Sequence, residues 1–406
     1  MRTFLYQQTY YCCLWVSYYV IDSFFINFFN VSNRNKITGI ISMFGNLSYY
    51  FCRSYAFMGY YVNKYVTPAF YNNLPEVEQE DSFSKEINAV TVNKTDYHFL
   101  VFSGGGIKGI SYCGALDVLD SNNILYDEDG NFKIMGFAGT SAGSIIAALL
   151  AVDYKPKEIK KIMKKLNMRD LVDDKSGMVR DGLHLIEKYG TAPGNFVLNF
   201  LGDLIKAKTG NEDYTIDQLY ADKGIKLVIV GTDMNICASQ YFYPNDGSNI
   251  TIRKAIRISM SIPFLFEPVL HNKNYYVDGG VLDNYPLHVF DGEYPGEKTS
   301  RCGMCKPNDK VLGLQIITED STNDDGTVTR EEIGNLLQFS FTFIKTFMLE
   351  NDRRMLTPTN KKRTIRIVTP NYPATNFAIS DDDKKLLMEC GRKHTLDFFN
   401  ATTSEI

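Results

Sequence analysis

Histidine is scarce in this chain: its 406 residues include five, His98, His184, His271, His288 and His394. A hydrolase triad in the order serine, acid, histidine would have to use His288 or His394, and neither lies in a distinctive motif. All five read as surface or packing residues. Tryptophan occurs once, at Trp15. No internal repeat is present, and no basic stripe carries a nucleic-acid motif at a net charge of −4, so no nucleic-acid partner is expected. Cys302 and Cys305 form one CxxC without a second Cys or His pair to complete a zinc site, and the remaining cysteines are scattered, as suits a reducing, intracellular compartment. Ser321 to Glu332 places Gly326 and Glu332 as an EF-hand would. Ser321 replaces the first aspartate, however, and a strand rather than a helix precedes it, so the stretch reads as an acidic surface loop. Neither a metal nor a cofactor is expected.

What the chain does contain is three short strings in order: SGGGIKG at Ser103 to Gly109, GTSAG at Gly139 to Gly143, and DGG at Asp278 to Gly280. Phe132 to Ala138 is apolar and of strand length, and Ala142 to Val152 reads as a buried helix, which puts Ser141 on a strand-to-helix turn. Gly139 and Gly143 remove side chains where strand and helix crowd, allowing a strained serine that points outward. Tyr97 to Phe102 reads as a buried strand and Ile107 to Leu119 as a helix, so Gly104, Gly105 and Gly106 form the turn between them. Amides of such a loop can approach a tetrahedral oxyanion without a Cβ in the way. Gly104, Gly106 and Gly109 also spell a dinucleotide fingerprint, with Asp127 and Glu128 as its acidic partners; that rival predicts stabilisation by a nicotinamide dinucleotide. Asn274 to Val277 reads as a short strand presenting Asp278 at its end, where a partly desolvated carboxylate can take the proton of a serine hydroxyl.

In this order the motifs resemble the patatin-like phospholipases, lipid acyl hydrolases with a Ser-Asp dyad. The resemblance covers roughly Phe99 to Phe290. SMSIPFLFEPV at Ser259 to Val269 is similar to the family's serine- and proline-containing segment, and DGGVLDNYPL at Asp278 to Leu287 continues as the family's aspartate motif does. The resemblance implies Ser141 as nucleophile, Asp278 as base and Gly104 to Gly106 as oxyanion hole, with Lys108, Gly109, Gly139, Gly143, Gly279 and Gly280 as supporting motif positions. Ser103 stands where many members have Asp, and Lys108 where many have Arg. A lysine is a point charge rather than a planar fork, so any grip on a phosphate head group would differ.

The first 75 residues differ from the rest. They are crowded with Tyr and Phe and carry Arg2, Arg34, Lys36, Arg53 and Lys64 against one acidic residue, Asp22. Thr9 to Val31 is long enough to span a bilayer, but an aspartate near its middle costs about 2.5 to 3.5 kcal/mol on insertion scales. Ile37 to Val62 is interrupted by Asn46 and Arg53. The expected arrangement is a membrane-lying or hairpin-inserted region, with an aromatic-rich helical cap as the alternative; no small-residue cleavage site marks a signal peptide. Cys12 and Cys13 are candidates for acylation. Lys155 to Arg169 carries lysines opposite Ile159, Ile162, Met163 and Leu166, a solvated basic face that would also suit anionic lipid.

The expected organisation is residues 1–75 as a membrane-associated region, 76–96 as a polar linker, 97–290 as the catalytic domain and 291–406 as an extension completing the fold. Lys226 to Asp233, Lys310 to Ile317 and Thr364 to Val368 are further strands, and Asp381 to Phe399 a closing helix. The expected fold class is α/β: a three-layer patatin-like fold whose largely parallel or mixed sheet carries helices on both faces. The expected function is a membrane-associated, phospholipase A-type acyl hydrolase acting on phospholipid or another acyl lipid. The alternative is a non-catalytic lipid-binding or scaffolding module with the same fold.

Overall fold

Apolar residues alternate through the central strands, and the two sets bury against opposite faces of one sheet. The computed structural model describes residues 96–127, 131–173, 185, 187–291, 307–318, 333–334, 336–372 and 377–404. The chain divides into two units, Met1–Glu86 and Ile87–Ile406, and every described residue belongs to the second. The region 1–75, the linker up to residue 95, the CxxC and the acidic loop 321–332 lie outside the described residues.

The strands are β1 (Phe99–Phe102), β2 (Gly136–Thr140), β3 (Gly190–Ala192), β4 (Lys226–Asp233), β5 (Ala238–Phe242), β6 (Phe264–Phe266), β7 (Val269–His271), β8 (Asn274–Asp278), β9 (Val311–Thr318) and β10 (Thr364–Thr369). The helices are α1 (Ser111–Ser121), α2 (Ala142–Ala151), α3 (Pro156–Lys165), α4 (Asn195–Thr209), α5 (Ile216–Lys223), α6 (Ile252–Ser259), α7 (Leu336–Met355), α8 (Pro358–Lys362) and α9 (Asp381–Ser404). Eight strands form one sheet in the order β10-β9-β1-β2-β4-β8-β7, with β5 also paired to β4. The run from β10 to β4 is parallel, β5 and β8 pair antiparallel with β4, and β7 pairs antiparallel with β8, so the sheet is mixed. Tight connections impose the change of direction. Asn272 and Lys273 join β7 to β8 with φ of 47° and 71°, the positive pair that a two-residue hairpin requires.

Leu100, Phe102, Phe137, Leu227, Ile229, Leu312 and Leu314 bury into the larger core under the helices. Val101, Ala138, Val228, Val230 and Val311 face a second cluster. That second face is covered, among the described residues, by Tyr241 of β5, Tyr285, the 3-10 turn Leu287–Phe290 and Met355 at the end of α7, a thinner layer than long helices would make.

Two predicted elements are cut differently. The expected strand Phe132 to Ala138 becomes regular only from Gly136, because Phe132 bridges back to Tyr126 and packs its ring against Tyr126 and Phe137. The expected helix from Ile107 opens as a 3-10 turn, Gly106–Ile110, before α1 begins. The basic stretch forms α3, with Ile159 and Met163 buried and Lys160 paired to Asp117 at 2.6 Å.

This architecture positions three turns. Phe102 and Gly139 are register partners on parallel neighbours, so the turns that follow β1 and β2 emerge side by side at the carboxyl end of the sheet. Asp278 ends β8 opposite Gly231 of β4.

Candidate active site

Ser141 occupies the step between β2 and α2 with φ 51° and ψ −123°, a conformation strained for any residue with a Cβ. Close packing holds it there. A Cβ at Gly139 would lie 2.5 Å from the Gly143 backbone, and one at Gly143 would lie 2.5 Å from the carbonyl oxygens of Phe102 and Ser103. The serine is 5% exposed and stands at the amino end of α2, where unpaired amides leave partial positive charge. Gly143→Ala would drive a methyl group into backbone that cannot rotate away. A loss of about 1–3 kcal/mol is expected from such overpacking, read by urea denaturation; unchanged stability would mean that the two turns are not pressed together.

Asp278 is 2% exposed. Its Oδ1 accepts the Gly280 amide at 2.7 Å, whereas Oδ2 has no hydrogen bond of ordinary geometry. Burial pushes the Asp278 carboxyl up to about 7; the Gly280 amide and the nearby Ser141 hydroxyl oppose that shift by favouring the charged form. The hydroxyl and the carboxylate are thus neighbours without a tight bond, as reacting groups often are before substrate arrives. Gly279 permits the turn to lie against β4, since a Cβ there would sit 2.4 Å from the Val230 carbonyl oxygen.

The glycine turn lies beside them: a Cβ at Gly104 would come within 3.3 Å of Ser141 Cβ. One expectation needs correcting. The Gly104 amide already donates to the Asn284 carbonyl at 2.9 Å and has no hydrogen left for an oxyanion. The amides of Gly105 and Gly106 donate to no acceptor among the described residues. Gly106 has φ 55°, which favours glycine, and Gly109 lets the 3-10 turn close on Ala142, whose Cβ would be 2.8 Å from a Cβ at Gly109.

The two further sequence stretches act as ties. Ser259 Oγ accepts the Ser141 amide at 2.8 Å, and the Ser261 carbonyl accepts the Asp278 amide at 2.8 Å, so one short segment at the end of α6 holds both groups. Arg257, buried, anchors that segment through the Ser261 hydroxyl and the carbonyls of Pro193 and Glu267. From the other side, the Asp283 carbonyl accepts the Thr140 hydroxyl at 3.0 Å, while Asn284 holds Gly104.

Asp352, on α7, is a group that no motif announced. Its Oδ2 accepts Asn284 Nδ2 at 3.0 Å, and its Oδ1 is buried without a partner. Burial pushes it up to about 7, assisted by the negative charge of Asp283 and opposed by Asn284 and Lys108. Lys108 donates to Thr318 Oγ1 at 2.7 Å; burial, with the positive charge of Lys345 adding, lowers its amine to about 8.

The rival sequence readings find no matching geometry. His288 approaches Tyr241 at 3.4 Å and Asp283 at 3.9 Å, and His394 bonds the Cys390 carbonyl within α9; neither bonds Ser141 or Asp278. Asp127 precedes β2 and closes a loop with Asn131, whereas a dinucleotide fingerprint puts its acid after that strand. Among the described residues no group of three or more His, Cys, Asp or Glu side chains could hold a metal ion.

Fold and site together define an α/β protein in which a serine elbow, a glycine turn and a buried carboxylate meet at the carboxyl end of a mixed sheet. The family model for patatin-like phospholipases matches residues 100–291, and the chain carries a domain of that family. An uncharacterized protein of Acanthamoeba polyphaga mimivirus is 29% identical over 316 residues, 77% of this chain and 96% of that protein. A probable lipid hydrolase of invertebrate iridescent virus 6 is 29% identical over 196 residues, 48% of this chain and 63% of that protein. Among solved structures, VipD from Legionella pneumophila aligns at 18% identity and a TM-score of 0.47, covering 82% of this chain and 73% of that one.

Proposed function

We propose that this protein is a lipid acyl hydrolase of the phospholipase A type, working through a Ser141–Asp278 pair. The observation that carries the reading is the Ser141 hydroxyl set beside the buried, half-satisfied Asp278 carboxylate, next to two glycine amides that donate to no acceptor among the described residues. The family match and the lipid hydrolase relative support the substrate class.

In the first half-reaction Ser141 Oγ attacks the ester carbonyl carbon while its proton passes to Asp278. The carbonyl oxygen becomes an oxyanion held by the Gly105 and Gly106 amides. Collapse expels the alcohol, which takes the proton back from Asp278 and leaves Ser141 acylated. Water then gives a proton to Asp278, attacks the acyl group and releases the fatty acid, returning the proton to Ser141. The sequence of steps is redox-neutral and consumes only water.

Residues 97–290 would form the catalytic domain, completed by β9 and β10 from 291–406. On composition alone, residues 1–75 would attach the protein to a membrane on the reducing side. The test is free fatty acid release, by mass spectrometry, from mixed phospholipid and triacylglycerol vesicles by the wild type and Ser141→Ala. Release by the wild type that disappears in the variant is expected, and the products name the lipid class. Undiminished release, or undiminished labelling of the variant by a fluorophosphonate, would assign the nucleophile elsewhere.

A further inference from the structure

The apolar surface of α7 is on the wrong side for a soluble helix. Phe339, Phe343 and Phe347 recur every fourth residue, and each is more than half exposed, at 55%, 56% and 51%. Their rings pack along the helix, with centroids 6.3 Å apart for the first pair and 4.9 Å for the second. Leu349 adds to the exposed apolar area. Among residues 336–349 the only charge is positive, Lys345.

The carboxyl-terminal half of the same helix closes over the reacting groups. Asn351 Nδ2 donates to the carbonyls of Val281 and Leu282, just after the DGG turn. A Cβ at Gly280 would meet Met348 Cε at 2.6 Å, and Asp352 grips Asn284. Helix α7 also touches β6, where Phe264 is exposed at a φ of 69°, and Leu282 is exposed on the DGG side.

We infer that the Phe339–Phe343–Phe347 face of α7 is a lipid-docking surface that seats the active site on a phospholipid interface. The inference rests on the lipid hydrolase reading of the site. Three considerations select this occupant. The face is continuous, through one helix, with the turn that presents Asp278, so whatever covers it lies beside the place where substrate must arrive. A lipid surface would deliver substrate there, whereas a second copy of the chain would obstruct it. Charge adds a third reason: residues 336–349 carry one positive charge, Lys345, and no acidic residue, so nothing in that stretch repels anionic head groups. No described helix is long and apolar enough to cross a membrane, so the expected geometry is a helix lying in the interface.

The test uses the full chain with Phe339, Phe343 and Phe347 all changed to Ser, and vesicles of phosphatidylcholine with a minor fraction of phosphatidylglycerol. Release of fatty acid from those vesicles is expected to fall at least tenfold, even where residues 1–75 keep the variant on the vesicles. Hydrolysis of a water-soluble short-chain ester should stay within twofold of wild type. Unchanged release of fatty acid from the vesicles would overturn the proposal, as would a triple variant that turns from dimer to monomer while still hydrolysing vesicle lipid, which would make the face a contact between copies.

A second readout exploits the single tryptophan. In a chain carrying Trp15→Phe and Phe343→Trp, emission should shift to the blue on vesicle addition and be quenched by brominated acyl chains. Emission that ignores the vesicles would overturn the proposal. Binding and turnover are read separately. A wild type that binds through α7 yet releases no fatty acid would remove the hydrolase reading and leave the docking surface standing; release without α7-dependent binding would do the reverse.

Discussion

Asp278→Asn is expected to make the protein more stable and almost inactive at once. The carboxyl, ordinarily titrating at 3.8, is pushed up to about 7 by burial. Between those values the folded protein holds a proton that the unfolded chain has released, so this group's contribution is most favourable in acid and declines as pH rises towards 7. Above that the full cost of the buried charge is borne, about 4 kcal/mol for a carboxyl raised from 3.8 to about 7. The asparagine variant should therefore gain up to about 4 kcal/mol near pH 8 and little near pH 4, measured by urea denaturation at the two pH values. Asp352, raised in the same direction, is present in both proteins and largely cancels from the difference. Turnover should fall by about 10²- to 10⁴-fold, the range over which a general base acts. In the wild type, activity should rise with pH through an apparent pKa near 7, the value of the Asp278 carboxyl. Unchanged turnover would strip Asp278 of its role as base. A variant less stable near pH 8 would mean that its contact with Gly280 outweighs its burial.

The largest loss of turnover should come from Ser141, and two substitutions there separate chemistry from strain. Both Ser141→Ala and Ser141→Gly remove the nucleophile, for which a loss of at least about 10⁴-fold is expected. They should differ in stability. Alanine keeps a Cβ at φ 51° and ψ −123°, whereas glycine adopts such angles freely. Glycine is expected to be the more stable of the two by about 1–3 kcal/mol, the size of a strained backbone residue. Equal unfolding midpoints would show that the elbow stores no strain.

The strands and the glycine turns were legible because their signal is local. Lys226 to Asp233 holds the apolar run Leu227 to Val230, and forms β4 with those bounds. Ser141, Gly139 and Gly143 announce a crowded elbow by spacing alone. What could not be read was direction and distance: β5 and β8 run against β4, and β7 pairs antiparallel with β8 through a turn, the Asn272-Lys273 pair, whose sequence does not advertise a hairpin. The commitment of the Gly104 amide depends on Asn284, 180 residues away along the chain. Asp352 gave no signal, since an aspartate within LENDRR near the end of a helix looks like any solvated charge until the fold brings it beneath Asn284. Lys108 was legible as a motif position, but its bond to Thr318 was not.

The stretch from Ser259 to Ser261 carries a further implication. It clasps the backbone on either side of the reaction, at Ser141 and at Asp278, within three residues of chain. The gap between nucleophile and base is therefore measured against one ruler. Drift of the sheet as a whole would carry both ends together, and the chemistry would tolerate changes in distant packing that would have separated two independently mounted groups.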